Sequence, residues 1–297
     1  MLKRISRYLL VALAILGIVT CFIGCKGQAI ADVAPLPATE RLRVATTTSL
    51  YDTGLWGYLE PMFEKKYSVE LDVLYTGSGI AFEYGKRGDV DVITIHAKAQ
   101  ELQFVADGYG TERVPFAYNY FLIIGPASDP AGIKGMTPED AFKKLAEMGR
   151  APFISRGDDS GTHSKEKTIW KNAGFDYEVI RQAGAWYVET GKGMGPTLLH
   201  ASEKQGYTLV DMGTFVAYQG KVNLVPIVDK GSIMLNVYSV IAVNPEKVTG
   251  VRLNSEMAAN MVGFLTSPEI QELIGEYGVE EYGLQLFTPC AGAEPQS

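Results

Sequence analysis

Short apolar stretches rich in β-branched residues alternate with longer stretches of helical spacing over most of the chain. In the first series, strand-like and helix-like patterns take turns over the stretches 42–46, 54–66, 70–75, 80–87 and 90–95. Such alternation is typical of a parallel sheet covered by helices. We therefore predict an α/β fold that begins near Arg41.

A second series of the same kind follows a long strand-like stretch at 117–124. Its first helix starts with Thr137 and Pro138, the residue types that cap a helix and fill its first position, and should run to Met148. Another long strand-like stretch, 235–243, leads back toward the first series. The apolar aromatic residues of the first long stretch, among them Tyr120, are expected to lie in the core.

The two long stretches predict two lobes joined by two crossover strands. Lobe 1 should comprise residues 41–122 and 237–290, and lobe 2 residues 123–236. Each lobe is expected to hold a mostly parallel sheet flanked by helices. A chain of this length has enough residues for two cores.

The N-terminus has the pattern of an export signal. The basic residues Lys3, Arg4 and Arg7 precede an uncharged apolar stretch at 9–23. This stretch is shorter than the roughly 20 residues that span a bilayer as a helix. We therefore predict export rather than a membrane-spanning anchor.

The apolar stretch ends in a small residue followed by Cys25, which resembles a lipobox. We predict a lipoprotein-type signal peptide at 1–24, lipid attached to the Cys25 sulfur, and a flexible tether at 25–40. The alternative is an ordinary signal peptide cut near Ala29 or Ala31. Either cut leaves the protein outside the cytoplasm, and the lipid would hold it at the outer face of a membrane or in the periplasm.

Charge and cysteine content narrow the classes of partner. The chain carries 27 basic and 34 acidic residues, and loss of the three basic residues of the signal takes the net charge from −7 to −10. Nothing in this acidic balance indicates a nucleic-acid surface. Cys290 is the only cysteine in the predicted folded part, so an intrachain disulfide is excluded there. We expect a monomer.

Three strand-to-helix junctions combine hydroxyl groups, glycines and one guanidinium. They are Ala45–Ser49, Tyr75–Gly79 and Ser155–His163. Open α/β sheets bind ligands at such junctions, because helix N-termini present free N–H groups and a positive dipole. Hydroxyl, N–H and Arg156 donors suit a compact anion enclosed between the lobes.

Each junction alone also has a simpler interpretation. A threonine-rich junction is often only a helix cap, and Gly-Ser-Gly is a common turn. Arg156 could pair with Asp158 or Asp159 in a surface ion pair of little energetic value. The occurrence of all three junctions at matching places in the two-lobed pattern favours anion binding.

The three segments resemble those of a known family. TTTS at Thr46–Ser49, TGSG at Thr76–Gly79 and SRGDDSGTH at Ser155–His163 are similar to the TupA-type tungstate-binding proteins, within the class of type II periplasmic binding proteins. The resemblance extends from about Arg41 to beyond Val243. It implies a type II periplasmic binding protein fold and capture of tungstate for an ABC importer, with docking on a membrane permease and no catalysis or cofactor.

The resemblance also implies the residues that contact the ligand. They are Thr47, Ser49, Ser78, Arg156 and Thr162, with Ser160, Gly161 and Thr48 as additional donors. The pattern Arg-x-x-x-Ser-Gly-Thr is also similar to the anion loop of phosphate-binding proteins. Phosphate, molybdate and sulfate therefore remain alternatives to tungstate.

The two aspartates of the third junction bear on this choice. Phosphate carries a proton near neutral pH and suits a carboxylate acceptor, whereas tungstate, molybdate and sulfate are unprotonated dianions that a buried carboxylate repels. We expect Asp158 and Asp159 to point away from the anion. One should orient Arg156 and the other should cap the following helix.

Two other kinds of site are weaker interpretations. The three histidines His96, His163 and His200 lack metal-ligand spacing, so a bound metal cation is not expected and tungsten would enter only as its oxyanion. An extracytoplasmic serine hydrolase using Ser160 and His163 is the alternative from a different class. Neighbours on one helical turn rarely let an imidazole reach both of its partners.

Overall fold

The computed structural model describes residues 40–293 and 295 of the chain. The predicted signal peptide, Cys25 and the tether up to residue 39 lie outside the described residues. Glu40, the last residue of the predicted tether, is the first residue of a strand. Within the described part, no helix combines the length and apolar character needed to cross a bilayer.

Strands and helices follow one another along the chain much as the pattern predicts. The strands are β1 (Glu40–Thr47), β2 (Val69–Thr76), β3 (Val92–Ile95), β4 (Val114–Gly125), β5 (Phe153–Ser155), β6 (Tyr187–Glu189), β7 (Thr208–Asp211), β8 (Val225–Val228), β9 (Leu235–Ala242) and β10 (Thr288–Pro289). The helices are α1 (Thr48–Asp52), α2 (Leu55–Tyr67), α3 (Ser78–Arg87), α4 (Lys98–Ala106), α5 (Pro138–Met148), α6 (Gly161–Asn172), α7 (Tyr177–Ile180), α8 (Met194–Lys204), α9 (Met212–Ala217), α10 (Ser255–Thr266), α11 (Pro268–Glu276) and α12 (Val279–Tyr282).

The first three strands form a parallel group, as predicted. β1 lies between β2 and β3 and is parallel to both, and the antiparallel strands β9, β4 and β10 continue the sheet on the β3 side. Thr47 is paired with Thr76, so β1 and β2 end side by side. The first two junctions therefore lie at the same edge of the sheet.

A smaller group of strands carries the third junction. β5 and β6 are parallel, with Ser155 paired with Glu189, and a parallel bridge joins Phe153 to Tyr207 just before β7. β7 and β8 in turn pair antiparallel with β4. The third junction follows β5 directly and leads into α6.

β4 belongs to both groups of strands. Its residues 114–120 pair with β9, and its residues 121–125 pair with β7 and β8. Phe121 is fully buried, but Tyr120 is 42% exposed, so the prediction that Tyr120 lies in the core was wrong. The predicted lobe boundaries fall inside β4 and β9 and stay predictions.

Apolar side chains bury against the sheets from both sides. α2, α10 and α11 pack on the first group of strands, with Phe63 and Phe264 in edge-to-face contact. Around β5 the core is aromatic, since Phe142, Phe153 and Trp170 contact one another. Burial of such rings is favourable and stabilises the elements that carry them.

Candidate oxyanion site

The first junction begins where β1 ends. Thr47 caps α1, and its Oγ1 accepts from the backbone N–H of Leu50 at 3.3 Å. Ser49 is buried, with its Oγ 3.3 Å from Thr47 Oγ1 and 2.9 Å from Nε2 of His96. Thr48, between them, is half-buried and reaches the third junction.

The second junction places a hydroxyl at the start of α3. Gly77 takes the extended cap position, and Ser78 is the first helical residue. Ser78 is fully buried, and its Oγ has no hydrogen-bond partner among the described residues. A buried hydroxyl without a partner is costly, so this atom is suited to a ligand.

The third junction supplies the guanidinium. Arg156 is only 2% exposed, and its Nε and Nη2 donate to one oxygen of Asp158 at 3.2 and 2.6 Å. Its Nη1 is buried and has no partner in the described part of the chain. The same is true of Oγ1 of Thr162, in the first turn of α6.

The three junctions lie against one another although they are distant in sequence. Arg156 Nη2 donates to Thr48 Oγ1 at 3.1 Å. A Cβ atom added to Gly77 would lie 3.6 Å from the backbone oxygen of Asp158. A Cβ atom added to Gly161 would lie only 2.9 Å from the His96 ring, so a glycine is needed at this contact.

The predicted contact residues are thereby brought into one region with a common chemistry. Ser78 Oγ, Thr162 Oγ1 and Arg156 Nη1 are buried donors that need acceptors. The N-termini of α3 and α6 add backbone N–H groups and positive dipoles. Oxygen atoms of a small anion are suitable acceptors for groups of this kind, since charge-assisted hydrogen bonds are strong in a buried site.

Asp158 and Asp159 fit the expectation in part. Asp158 holds Arg156, as predicted, and its other oxygen accepts from the backbone N–H of Ser160 at 3.2 Å. The cap of α6 is Ser160, whose Oγ accepts from the backbone N–H of His163. The prediction that an aspartate caps this helix was therefore wrong, because Asp159 is 75% exposed and pairs with Lys167.

Glu166 is a site component that the sequence analysis missed. It is fully buried on α6 and accepts from Ser155 Oγ at 2.7 Å, Trp170 Nε1 at 3.1 Å and the Tyr187 hydroxyl at 2.5 Å. Burial raises the pKa of Glu166 to about 7. Because Ser155 precedes Arg156 directly, Glu166 ties α6 to the strand end that carries the guanidinium.

His96 is the second residue that was missed. It follows β3 directly, at the edge where β1 and β2 also end, and this position is the signal that could have identified it. Its Nδ1 lies 2.8 Å from the Asn236 side-chain oxygen on β9. Burial lowers the pKa of His96 to about 3, so the ring is neutral.

The geometry does not support the hydrolase interpretation. Nδ1 of His163 accepts from the backbone N–H of Asp159 at 2.9 Å, and Nε2 contacts the Tyr177 hydroxyl at 2.5 Å. Neither nitrogen contacts Ser160 Oγ, which instead caps α6. Within the described residues, no group of three or more histidine, cysteine or acidic side chains is arranged to hold a metal cation.

A cavity of about 470 Å³ lies beside the candidate site. Its lining includes His96, Lys98, Gly161, Lys165 and Asn236. Among the predicted contact residues only Gly161 lines it, so this cavity is a neighbour of the donor cluster rather than the cluster itself. Burial lowers the pKa of Lys165 to about 8.

Comparison with known proteins identifies the family of this chain. Residues 33–269 match the PBP superfamily domain. A putative ABC transporter anion-binding protein of Haloferax volcanii is 46% identical, over 86% of this chain and 74% of that protein. The tungstate-binding protein TupA of Peptoclostridium acidaminophilum is 41% identical, over 96% of this chain and 99% of that protein.

A solved structure extends the comparison to the fold. The tungstate-binding protein TupA of Desulfovibrio alaskensis G20 is 42% identical, with a TM-score of 0.71 over 85% of this chain and 99% of that chain. The predicted two-lobed type II periplasmic binding protein fold is thereby confirmed. The chain belongs to the PBP superfamily and, within it, to the family of TupA-type tungstate-binding proteins.

Proposed function

We propose that this protein is the extracytoplasmic solute-binding component of an ABC importer and that it captures tungstate between its two lobes. The observation that carries the proposal is the set of three buried donors without partners, Ser78 Oγ, Arg156 Nη1 and Thr162 Oγ1. They come from the second and third junctions, and the third junction contacts both the first and the second. Thr47, Thr48, Ser49, Ser160 and Gly161 remain predicted contacts at the same place.

The carboxylate of Asp158 supports an unprotonated ligand. One of its oxygens is occupied by Arg156 and the other by the Ser160 N–H. Both oxygens of Asp158 therefore face donors of the protein's own loop. A cluster of donors favours tungstate, molybdate or sulfate, which carry two charges and no hydrogen.

Binding without covalent chemistry fits the relatives, which are named as an ABC transporter anion-binding protein and as a tungstate-binding protein. Closure of the lobes would bury the anion, and the closed form would dock on the membrane permease as a monomer. Cys25 would carry lipid after removal of residues 1–24 and hold the protein at the membrane surface. A hydrolase would need a histidine near Ser160, and His163 faces other partners.

Calorimetric titration of the purified protein with tungstate, molybdate, sulfate and phosphate tests the ligand. We expect one tight site for tungstate, comparable or weaker binding of molybdate, and the weakest binding for phosphate. Tighter binding of phosphate than of tungstate would reject the proposed ligand. Ester substrates incubated with the same preparation should show no turnover.

Detergent phase partitioning tests the anchor. Protein expressed with its own signal should enter the detergent phase, and Cys25→Ala should move to the aqueous phase. Equal partitioning of both forms would reject lipid attachment at Cys25. Cys290→Ala is the matched control, because it also removes one thiol.

A further inference from the structure

A continuous chain of hydrogen bonds leads from the first junction into the core. Ser49 Oγ lies 2.9 Å from His96 Nε2, and His96 Nδ1 lies 2.8 Å from the Asn236 side-chain oxygen. The Asn236 side-chain nitrogen donates to the Tyr238 hydroxyl oxygen at 2.8 Å. The same nitrogen also donates to the Asn119 side-chain oxygen at 2.9 Å. All five residues are buried.

The Asn236 end of this hydrogen-bond chain fixes its direction. One side of the Asn236 amide faces two oxygens, the Tyr238 hydroxyl and the Asn119 side-chain oxygen. The amide nitrogen donates to both, which turns the Asn236 oxygen toward His96.

The imidazole passes this direction on to Ser49. The ring is neutral and carries one hydrogen, and the Asn236 oxygen is an acceptor, so the hydrogen is on Nδ1. Nε2 consequently offers a lone pair, and Ser49 must donate to it. Ser49 has only one hydroxyl hydrogen, and it is directed into the core. Toward its other neighbour, Thr47 Oγ1 at 3.3 Å, Ser49 can only accept.

The ring has little freedom to leave this arrangement. Gly161, at the start of α6, lies so close that an added Cβ would be 2.9 Å from Cε1 of His96. The centroid of the Tyr238 ring is 4.9 Å away on another side. His96 thus contacts the first junction, β9 and the third junction at once.

We propose that His96 is a positioning residue of the oxyanion site, which holds the hydroxyl hydrogen of Ser49 away from the ligand. Ser49 then supports Thr47 by accepting a hydrogen bond from its hydroxyl group. The oxyanion takes its hydroxyl hydrogens from Ser78 and Thr162 instead, so Ser49, a predicted contact, lies beside the ligand without donating to it. This inference rests on the proposed function for the identity of the ligand, but the hydrogen position on His96 can be measured without any ligand.

Nitrogen-15 NMR of the imidazoles tests the hydrogen position. We expect the hydrogen of His96 on Nδ1, both without and with tungstate. His163 is an internal control with the opposite tautomer, because its Nδ1 accepts from the Asp159 N–H and its hydrogen is therefore on Nε2. A hydrogen on Nε2 of His96 in the free protein would overturn the proposal.

Calorimetry with tungstate tests the consequence for binding. Ser78→Ala and Thr162→Val should each lose about 10-fold to 150-fold in affinity, as expected for a hydrogen bond to a charged group. Ser49→Ala should lose only about threefold, because it removes a support rather than a donor. Thr168→Val, which removes an exposed hydroxyl from the same helix as Thr162, is the control. A loss in Ser49→Ala equal to that in Ser78→Ala would overturn the proposal.

The two tests separate the possible failures. If the wild-type protein binds no tungstate, the proposed function fails, while the NMR result still decides the hydrogen position on His96. Thermal unfolding of each variant identifies a loss of affinity that comes from misfolding. If Ser49→Ala does not fold, the His96 tautomer in the wild-type protein decides the case.

Discussion

Replacement of Arg156 by alanine removes the only guanidinium of the donor cluster. Nε and Nη2 are used by Asp158 and Thr48, which leaves the two hydrogens of the buried Nη1 for the ligand. Hydrogen bonds to charged groups contribute about 1.5–3 kcal/mol each. Loss of two such bonds corresponds to at least about 3 kcal/mol, or a roughly 100-fold lower tungstate affinity.

The variant also leaves Asp158 as a carboxylate without its cation beside the anion. This repulsion adds to the lost hydrogen bonds, so the affinity of Arg156→Ala should fall further than the bond count implies. Arg156→Lys keeps the charge but loses the planar fork, and it should be intermediate. Titration calorimetry gives the affinities, and circular dichroism checks that each variant is folded.

Asp159→Asn provides the matched control in the same loop. Asp159 is 75% exposed and pairs with Lys167 at 2.6 Å. Such a surface pair contributes about 0–1 kcal/mol, so affinity should change by no more than about fivefold. Asparagine is chosen because the backbone at this position has φ of 54°, which alanine adopts less readily. Equal losses in Arg156→Ala and Asp159→Asn would refute the assignment of the loop.

Further predictions concern the packing and titration of the same region. Gly161→Ala places a methyl group 2.9 Å from the His96 ring, and such overpacking costs about 1–3 kcal/mol, so tungstate affinity should fall. Gly79→Ala is the control and should keep the affinity, because its methyl group meets nothing within 4 Å. The pKa of His163 is lowered by burial to about 4, below its ordinary 6.5, so its contribution to stability is present above pH 6.5 and is lost as pH falls through 4. The free energy of unfolding, measured with urea, should therefore fall more between pH 7.5 and 4.5 in the wild type than in His163→Gln, by up to about 3 kcal/mol. Parallel losses in the two proteins would contradict this. Burial raises the pKa of Glu166 from 4.5 to about 7. The stability of the wild type relative to Glu166→Gln should therefore decrease as pH rises from 4.5 to 7, and a constant difference in stability would contradict this.

Elements with local signals were predictable from the sequence. α5 runs from Pro138 to Met148 as expected, because its threonine cap and its proline at the first position are local signals. The short elements α1, α9 and β8 were missed. Each has few residues and depends on partners elsewhere in the chain, as β8 depends on β4.

The site divides in the same way. Hydroxyl and glycine clusters after strands identified the three junctions, since a strand followed by a helix is visible in the pattern. The roles of His96 and Glu166 depend on contacts that the fold creates, with Asn236 in one case and Tyr187 in the other. An isolated histidine and a helical glutamate carry no such information in the sequence. Tyr120 was misplaced because it lies where β4 changes partners, between its pairing with Leu235 and the pairing of Phe121 with Asp211.

This shared strand has a consequence for unfolding. Residues 114–120 of β4 complete one group of strands, and residues 121–125 complete the other. Neither half of the protein can keep its sheet intact when β4 is removed. The two lobes should therefore lose their structure in a single cooperative transition, and a fragment that begins after β4 should not fold by itself.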